Sequence, residues 1–311
     1  MSTSLISHGN VQKSPSATYG AEKTTILRVG NGGAGATGLL QVLAAEFLAT
    51  ETPSTSRNGA SIDWVCNHSR NTQLALFHGF IDVALTYERD MEAVAAAEGW
   101  STTVGCIFHD HFVFVGHLSD PANVKSATSL YNAFQRIHRR RALFHSRQDG
   151  SATMVKENSI WSDAGLPLPA DNLTTEGEWY KTSLSTPEDA LKDATAAGAY
   201  LLTDRSTLLR QTWLQTVPSN VTVFFEPTSP DDILMNSCYA LKSTKPKAQY
   251  TQGMQDFLHY LASPAGQATI ANYGVRETGL ALFSPAKDGF ATIFLRGGRP
   301  QGGRWVFPSK L

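Results

Sequence analysis

The chain has 311 residues, of which 41% are hydrophobic, enough to bury a substantial core and to divide into two lobes. Its 26 basic and 27 acidic residues nearly cancel, which argues against a protein devoted to nucleic acid or to an anionic membrane surface, since both need a strong field of one sign. The three cysteines, Cys66, Cys106 and Cys238, form no C-x-x-C pair and point to neither a disulfide framework nor a thiolate metal site, so buried, inert thiols are expected.

Residues 1–22 are rich in Ser, Thr and Gly and lack the run of about 7 to 15 apolar residues that a secretory signal needs, so they read as a flexible lead. No later segment approaches the roughly 18 consecutive apolar residues of a membrane span. A soluble, cytoplasmic protein with no direct membrane insertion is therefore expected, and the sequons at Asn67, Asn172 and Asn220 do not establish secretion. "TTILRVG" is a short β-branched run that reads as a strand, and "TGLLQVLAAEFLAT" sets Leu39, Leu40, Leu43 and Phe47 on one helical face. "ASIDWVCN" predicts a second strand, "NTQLALFHG" a short helix, "FIDVALTY" a third strand and "EAVAAAEGW" another helix. Strands and helices alternating at this spacing indicate an α/β fold with parallel strands, whose ligands bind beyond the strands' carboxyl ends.

"VGCIFHDHFVFVGHL" is long enough for one extended strand or two, and "SDPANV" is a turn-rich junction that leaves the first lobe. The helix "SLYNAFQRIHRRR", the strand "ALFHS", the helix "SATMVKENSIWSDAG" closed by Gly165 and Pro167, the helix "TPEDALKDATAAG", the strand "AYLLTD" and the helix "RSTLLRQTW" form a second set. "VTVFFEP" and "SCYALK" return the chain to the first lobe, where "AQYTQGMQDFLHYLAS" is an amphipathic helix. Lobe 1 is then residues 23–117 plus 226–311, with lobe 2, residues 118–225, inserted and joined by two crossings. The aromatic tail, with Phe290, Phe294, Trp305 and Phe307, reads as something buried, either against lobe 1 or in self-association.

Three turns between a strand and a helix could carry chemistry. "VGNGGAGATG" holds G-x-G-x-x-G at Gly30, Gly32 and Gly35, the dinucleotide spacing, but "IDWVCN" ends without the acidic residue that such a site wants after its second strand. A turn whose glycines merely permit positive φ, and a nest of backbone N–H groups that binds an anion of any kind, are the other readings. "SRQDGSATMVKE" places Ser151 and Thr153 at a predicted helix start with Arg147 just ahead, where hydroxyls, unsatisfied N–H groups and the helix dipole favour negative charge; an ordinary N-cap beside a surface arginine is the bland alternative. "NHSRNTQ" has the same placement and offers Ser69 and Thr72.

These stretches carry a resemblance. "SRQDGSATMVKENSIWSDAG" is similar to the S-R-G-D-x-S-G-T-x-x-x-E segment of the bacterial extracytoplasmic tungstate-binding proteins, and "YLLTDRSTLL" to their Y-x-L-T-D-R-G-T-W-L. "FVFVGHLSDPANV", "GFIDVALTYER" and "LASPAGQATIANYGV" extend it from about residue 25 to about residue 284. That family belongs to the periplasmic-binding-protein superfamily. The resemblance implies a two-lobed α/β fold of type II, with a small tetrahedral oxyanion, tungstate or molybdate, held in a cleft between the lobes by hydroxyls, backbone N–H groups and an arginine. Carried over residue by residue, the binding set is Arg147, Ser151 and Thr153, then Ser69, with Asn31, Gly32 and Gly33 supplying N–H groups where the family has a T-T-T-S run. Asp149 is expected to point away and brace Arg147 or the turn.

No cofactor is implied and no catalysis is expected. His109 and His111, set on one strand face by "FHDHF", lack a third metal ligand at motif spacing, and "RIHRRR" reads as a solvated helix end rather than a phosphate contact. The expected function is non-catalytic oxyanion binding, as a cytosolic carrier, buffer or sensor, with any transporter or protein partner unknown. The alternatives are a nucleotide-dependent oxidoreductase using Gly30 to Gly35 and an interaction scaffold with a changed cleft.

Overall fold

The computed structural model describes residues 11–21, 24–50, 57, 59–147, 149–168, 179–287, 289, 291 and 293–308. Phe290 and Asn172 lie outside the described residues. In chain order the strands are β1 (Ala17–Gly20), β2 (Thr24–Asn31), β3 (Ala60–Cys66), β4 (Val83–Thr86), β5 (Ser101–His109), β6 (Phe112–His117), β7 (Phe144–Ser146), β8 (Tyr180–Thr182), β9 (Leu201–Asp204), β10 (Val221–Phe225), β11 (Ser237–Ser243), β12 (Ser284–Pro285), β13 (Arg299–Gln301) and β14 (Arg304–Val306). The helices are α1 (Gly33–Ala36), α2 (Leu39–Ala49), α3 (Ser69–Phe77), α4 (Arg89–Ala97), α5 (Leu130–Arg140), α6 (Ala152–Asp163), α7 (Pro187–Ala197), α8 (Arg205–Trp213), α9 (Ala248–Ala262), α10 (Pro264–Asn272) and α11 (Val275–Thr278).

The chain divides into two compact units, one of residues 1–109, 237–273 and 283–289, the other of residues 110–236, 274–282 and 290–311. The expected boundaries at 117/118 and 225/226 move to 109/110 and 236/237, because β6 and β10 pair with each other and not with the first unit's sheet. The long "VGCIFHDHFVFVGHL" run is two strands that break at Asp110 and enter different sheets.

The first unit is built on a seven-stranded sheet in the order β1-β3-β2-β4-β11-β5-β12. β2 runs parallel to β3 and β4, and its last residues are wholly buried, as an apolar strand covered on both faces should be. The expected parallel pairing stops there: β1, β11, β5 and β12 all pair antiparallel. Within the expected flexible lead of residues 1–22, Ala17 to Gly20 instead form β1 against Trp64 to Ser61 of β3, and residues 1–10 and 22 lie outside the described residues. Helix α2 buries Leu39, Leu40, Leu43 and Phe47, and the Phe47 ring meets Phe257 of α9 edge-on at 5.2 Å.

The second unit holds the antiparallel sheet β10-β6-β9 and the parallel pair β7-β8. Its core is aromatic: Phe114, Phe134, Phe144, Trp161, Trp179, Tyr180 and Tyr200 cluster with aliphatic side chains, and Trp161 sits 4.6 Å from Phe134 and 5.2 Å from Phe144. Truncating one such ring to Ala costs about 3–5 kcal/mol, so α5, α6 and the β7-β8 pair are locked to one another. The tail forms the hairpin β13-β14 and belongs to this unit, with Trp305 Nε1 donating to the carbonyl of Leu295 at 2.9 Å. Among the described residues, no helix is long and apolar enough to cross a membrane.

Candidate functional site

In the second unit, β7 delivers Arg147 directly ahead of α6. Ser151 is the N-cap of that helix, with extended backbone (φ −85°, ψ 162°), and its Oγ accepts from the Met154 N–H at 3.4 Å. No acidic residue lies in the first turn, so the unsatisfied N–H groups and the positive end of the helix dipole meet no resident charge on the helix itself. Arg147, Ser151 and Thr153 are buried, with 4%, 6% and 7% exposure, and the fold brings all three to the same turn. Asp149 braces the group: its carboxylate ion-pairs with the Arg147 guanidinium and accepts from both the hydroxyl and the N–H of Ser151, the latter at 3.1 Å. Arg147 Nε has no hydrogen-bond partner among the described residues. One turn along α6, fully buried Glu157 accepts from the Tyr180 hydroxyl at 2.8 Å, and burial pushes its carboxyl up to about 7.

In the first unit the expected donors fall on two adjoining turns. A Cβ on Gly32 would lie 3.0 Å from the carbonyl oxygen of Asn67 and 3.8 Å from Cα of His68, so the turn after β2 abuts the entry to α3. Asn31 is fully buried and its side-chain amide is committed, Nδ2 to the Leu85 carbonyl at 2.9 Å and Oδ1 to the Gly35 N–H at 2.8 Å. It shapes the turn from below. Gly33 is half-buried, and a Cβ there would meet nothing within 4 Å, which leaves the start of α1 open to an approaching group. Ser69 begins α3, again with no acidic residue in the first turn; its Oγ accepts from the Tyr87 N–H at 3.2 Å and keeps its own proton to donate. Thr72 turns inward and donates to the Asn67 carbonyl at 2.9 Å.

The dinucleotide spacing has a packing explanation. A Cβ on Gly30 would sit 2.3 Å from Ile81 Cδ1, and one on Gly35 would sit 2.3 Å from the Trp64 ring, whose Nε1 donates to the Asn31 carbonyl at 2.8 Å. Gly30 thus lets Ile81, and Thr72 of α3, close on β2, and Gly35 lets the Trp64 ring close on α1.

The L-T-D-R stretch serves structure in a way that sequence spacing does not reveal. Asp204 caps α8 by accepting from the Thr207 N–H at 2.7 Å, and the single hydroxyl proton of Ser206 is shared between Asp110 at 2.7 Å and Asp204 at 2.9 Å. Arg205, only 2% exposed, donates to the carbonyls of Ala281 and Ile293, both at 3.0 Å, while Glu226 accepts the N–H groups of Leu295 and Arg296. Burial holds the Asp110 carboxyl well above the usual carboxylate range.

His109 and His111 do not share a strand face. His109 ends β5 and hydrogen-bonds Ser237 Oγ at 2.8 Å, whereas His111 lies past the break at Asp110. Among the described residues no group of His, Cys, Asp or Glu could hold a metal ion. The thiols also differ from expectation: Cys238 is buried, Cys106 is half-buried and pushed up to about 11 by desolvation, and Cys66 is exposed because it closes β3 at the sheet's end.

Residues 16–265 match the PBP superfamily domain, and the chain belongs to that family. It is 30% identical over 215 residues to a Haloferax volcanii protein named as a candidate ABC transporter anion-binding protein, a match covering 67% of this chain and 58% of that protein's length. It is 26% identical over 217 residues to the tungstate-binding protein TupA of Peptoclostridium acidaminophilum, covering 67% of this chain and 69% of TupA. A solved periplasmic protein, described as a candidate metal-binding protein, superposes with a TM-score of 0.74 at 28% identity, covering 87% of this chain and 98% of its own. The α/β architecture is that of the type II periplasmic-binding-protein class.

Proposed function

We propose that this chain binds a small tetrahedral oxyanion, tungstate or molybdate, and performs no chemistry on it. The observation that carries the reading is the turn ahead of α6, where a buried guanidinium, the Thr153 hydroxyl and the first N–H groups of a helix converge, with Asp149 held aside by Arg147 and Ser151. A dianion taken out of water needs its oxygens satisfied, and each hydrogen bond to a charged group contributes about 1.5–3 kcal/mol. Arg147, Thr153 and the first free N–H groups of α6 supply such donors, Ser151 holds Asp149 in its bracing position, and Ser69 with the open backbone at Gly32 and Gly33 supplies a second set. The names borne by the relatives support the same ligand class and delivery to an ABC transporter. A role as cytosolic carrier, buffer or sensor is the alternative to such delivery, and fractionation of cells into membrane-associated and free pools distinguishes them.

The test is a thermal-shift and calorimetric panel of tungstate, molybdate, sulfate, phosphate and NAD. A bound anion at a hundred times its dissociation constant stabilises the fold by about 2.7 kcal/mol. Arg147→Ala is expected to abolish that shift, measured from the variant's own unliganded melting point, which falls because the Asp149 side chain, 10% exposed, loses its cation. A variant that binds as well as the parent removes Arg147 from the site, and a response to NAD alone revives the nucleotide reading of Gly30 to Gly35.

A further inference from the structure

No carboxylate lies within residues 67–73 of the sequence, yet folding brings one to the first turn of α3. Glu88, the N-cap of α4, is 6% exposed and places its carboxylate 3.7 Å from Nε of Arg70. The two turns are also tied by the Tyr87 N–H, which donates to the Ser69 side-chain Oγ. Neither oxygen of Glu88 receives a hydrogen bond from a described residue. Arg70 Nε and both amide atoms of Gln73, a side chain 2% exposed one turn further along α3, are in the same condition. Glu92 on the same helix shows what a served carboxylate looks like here: fully buried, it accepts from Thr86 Oγ1 at 2.7 Å and from Arg89. Buried polar groups in native proteins almost always have partners, so a set left open at one corner marks where a ligand completes them.

The set is mixed. Arg70, Ser69 and the helix N-terminus donate, whereas Glu88 accepts. We propose that Glu88 makes this corner a one-proton subsite, which takes an oxyanion only together with a single hydrogen shared between the carboxyl group and the anion. The inference rests on the reading of the chain as an oxyanion binder. Two unprotonated oxygens facing each other repel, while one proton between them makes a short charge-assisted hydrogen bond. Among the groups around Glu88, Arg70 from α3 favours its ionised form and Glu92 from α4 opposes it. Arg89 is committed to Glu92 and stacks over Tyr239 of β11 at 3.6 Å, and Cys106 of β5 remains a neutral thiol. Burial outweighs Arg70 and pushes Glu88 up to about 7. Oxyanions therefore divide into those that bring their own hydrogen, such as hydrogen phosphate and hydrogen arsenate, and those that require Glu88 to be protonated, such as tungstate, molybdate and sulfate.

The experiment is titration calorimetry of the full chain with sodium tungstate and with sodium phosphate, in buffers of different ionisation enthalpy, at about pH 6 and about pH 8.5. Tungstate is expected to bind roughly thirtyfold more weakly at the higher pH and to take up close to one proton there, as a site competent only when protonated should. Phosphate is expected to bind with no proton uptake at the higher pH. Glu88→Gln, whose amide donates, is expected to make tungstate binding independent of pH and to weaken phosphate. A tungstate affinity that is flat with pH in the parent chain, or a pH dependence that survives Glu88→Gln, overturns the one-proton subsite and leaves oxyanion binding standing. Absence of heat from every anion at both pH values overturns both.

Discussion

Replacing Arg205 by Met tests whether the L-T-D-R stretch is a clasp for the C-terminal tail. The side chain is 2% exposed and holds two carbonyls, Ala281 and Ile293, that come from separate tail segments. Losing the donor leaves each buried carbonyl unsatisfied at about 1–3 kcal/mol. Removing one partner of a buried ionic group costs about 3–5 kcal/mol, and here Glu226 and Asp110 lose their nearest cation. The two losses overlap, and Asp110 is already biased toward its neutral form, so the expected destabilisation is about 3–5 kcal/mol in total. The assay is urea unfolding followed by far-ultraviolet circular dichroism, with Arg299→Ala, an exposed tail arginine, as a control expected within about 0.5 kcal/mol of the parent. A loss below about 1 kcal/mol for Arg205→Met would refute the clasp, since the carbonyls would then have found water or another donor.

Glu157 makes stability depend on pH. Its folded-state value, about 7, lies above the ordinary 4.5, so its contribution is complete below about pH 4.5 and is lost as pH rises through 7. The loss is about 3 kcal/mol, and Glu157→Gln should flatten the change in urea midpoint between about pH 5 and about pH 8. At Gly35 an added methyl meets the Trp64 ring at 2.3 Å, so Gly35→Ala is expected to cost about 1–3 kcal/mol and to shift tryptophan fluorescence, whereas Gly33→Ala, with open space around it, should keep the melting point and weaken only anion binding. Equal melting points for the two variants would reject that packing account.

Much of the fold could be read from local pattern because local physics decides it. Ser151 capping α6 and Gly165, at φ +71°, closing it are short-range events that hydroxyl and glycine placement announce. The strands and helices expected between β2 and α4 from their apolar runs all form. What escaped were decisions made by distant partners. Ala17–Gly20 looked like linker because only its pairing with β3 makes it a strand. The tail looked like part of the first lobe because nothing near residues 281–296 signals Arg205 or Glu226. At the candidate site, Arg147, Ser151 and Thr153 sit within one heptapeptide whose residue types mark a helix start, but Glu88 meets Arg70 across eighteen positions, where β4 runs beside the start of α3. Gly30 and Gly35 matched a nucleotide pattern for reasons that belong to Ile81 and Trp64.

The threading of the chain bears on how the protein is made. The polypeptide passes between the two units at 109/110, 236/237, 273/274, 282/283 and 289/290, so the first unit waits for residues 283–289 and the second for residues 290–311. Vectorial folding, one domain after another as the ribosome elongates, is closed to such a topology. Nascent β5 must wait, with an unpaired edge, for β11, synthesised more than a hundred residues later, and β6 must wait for β9 and β10, which makes shielding of those edges by chaperones part of the protein's biogenesis.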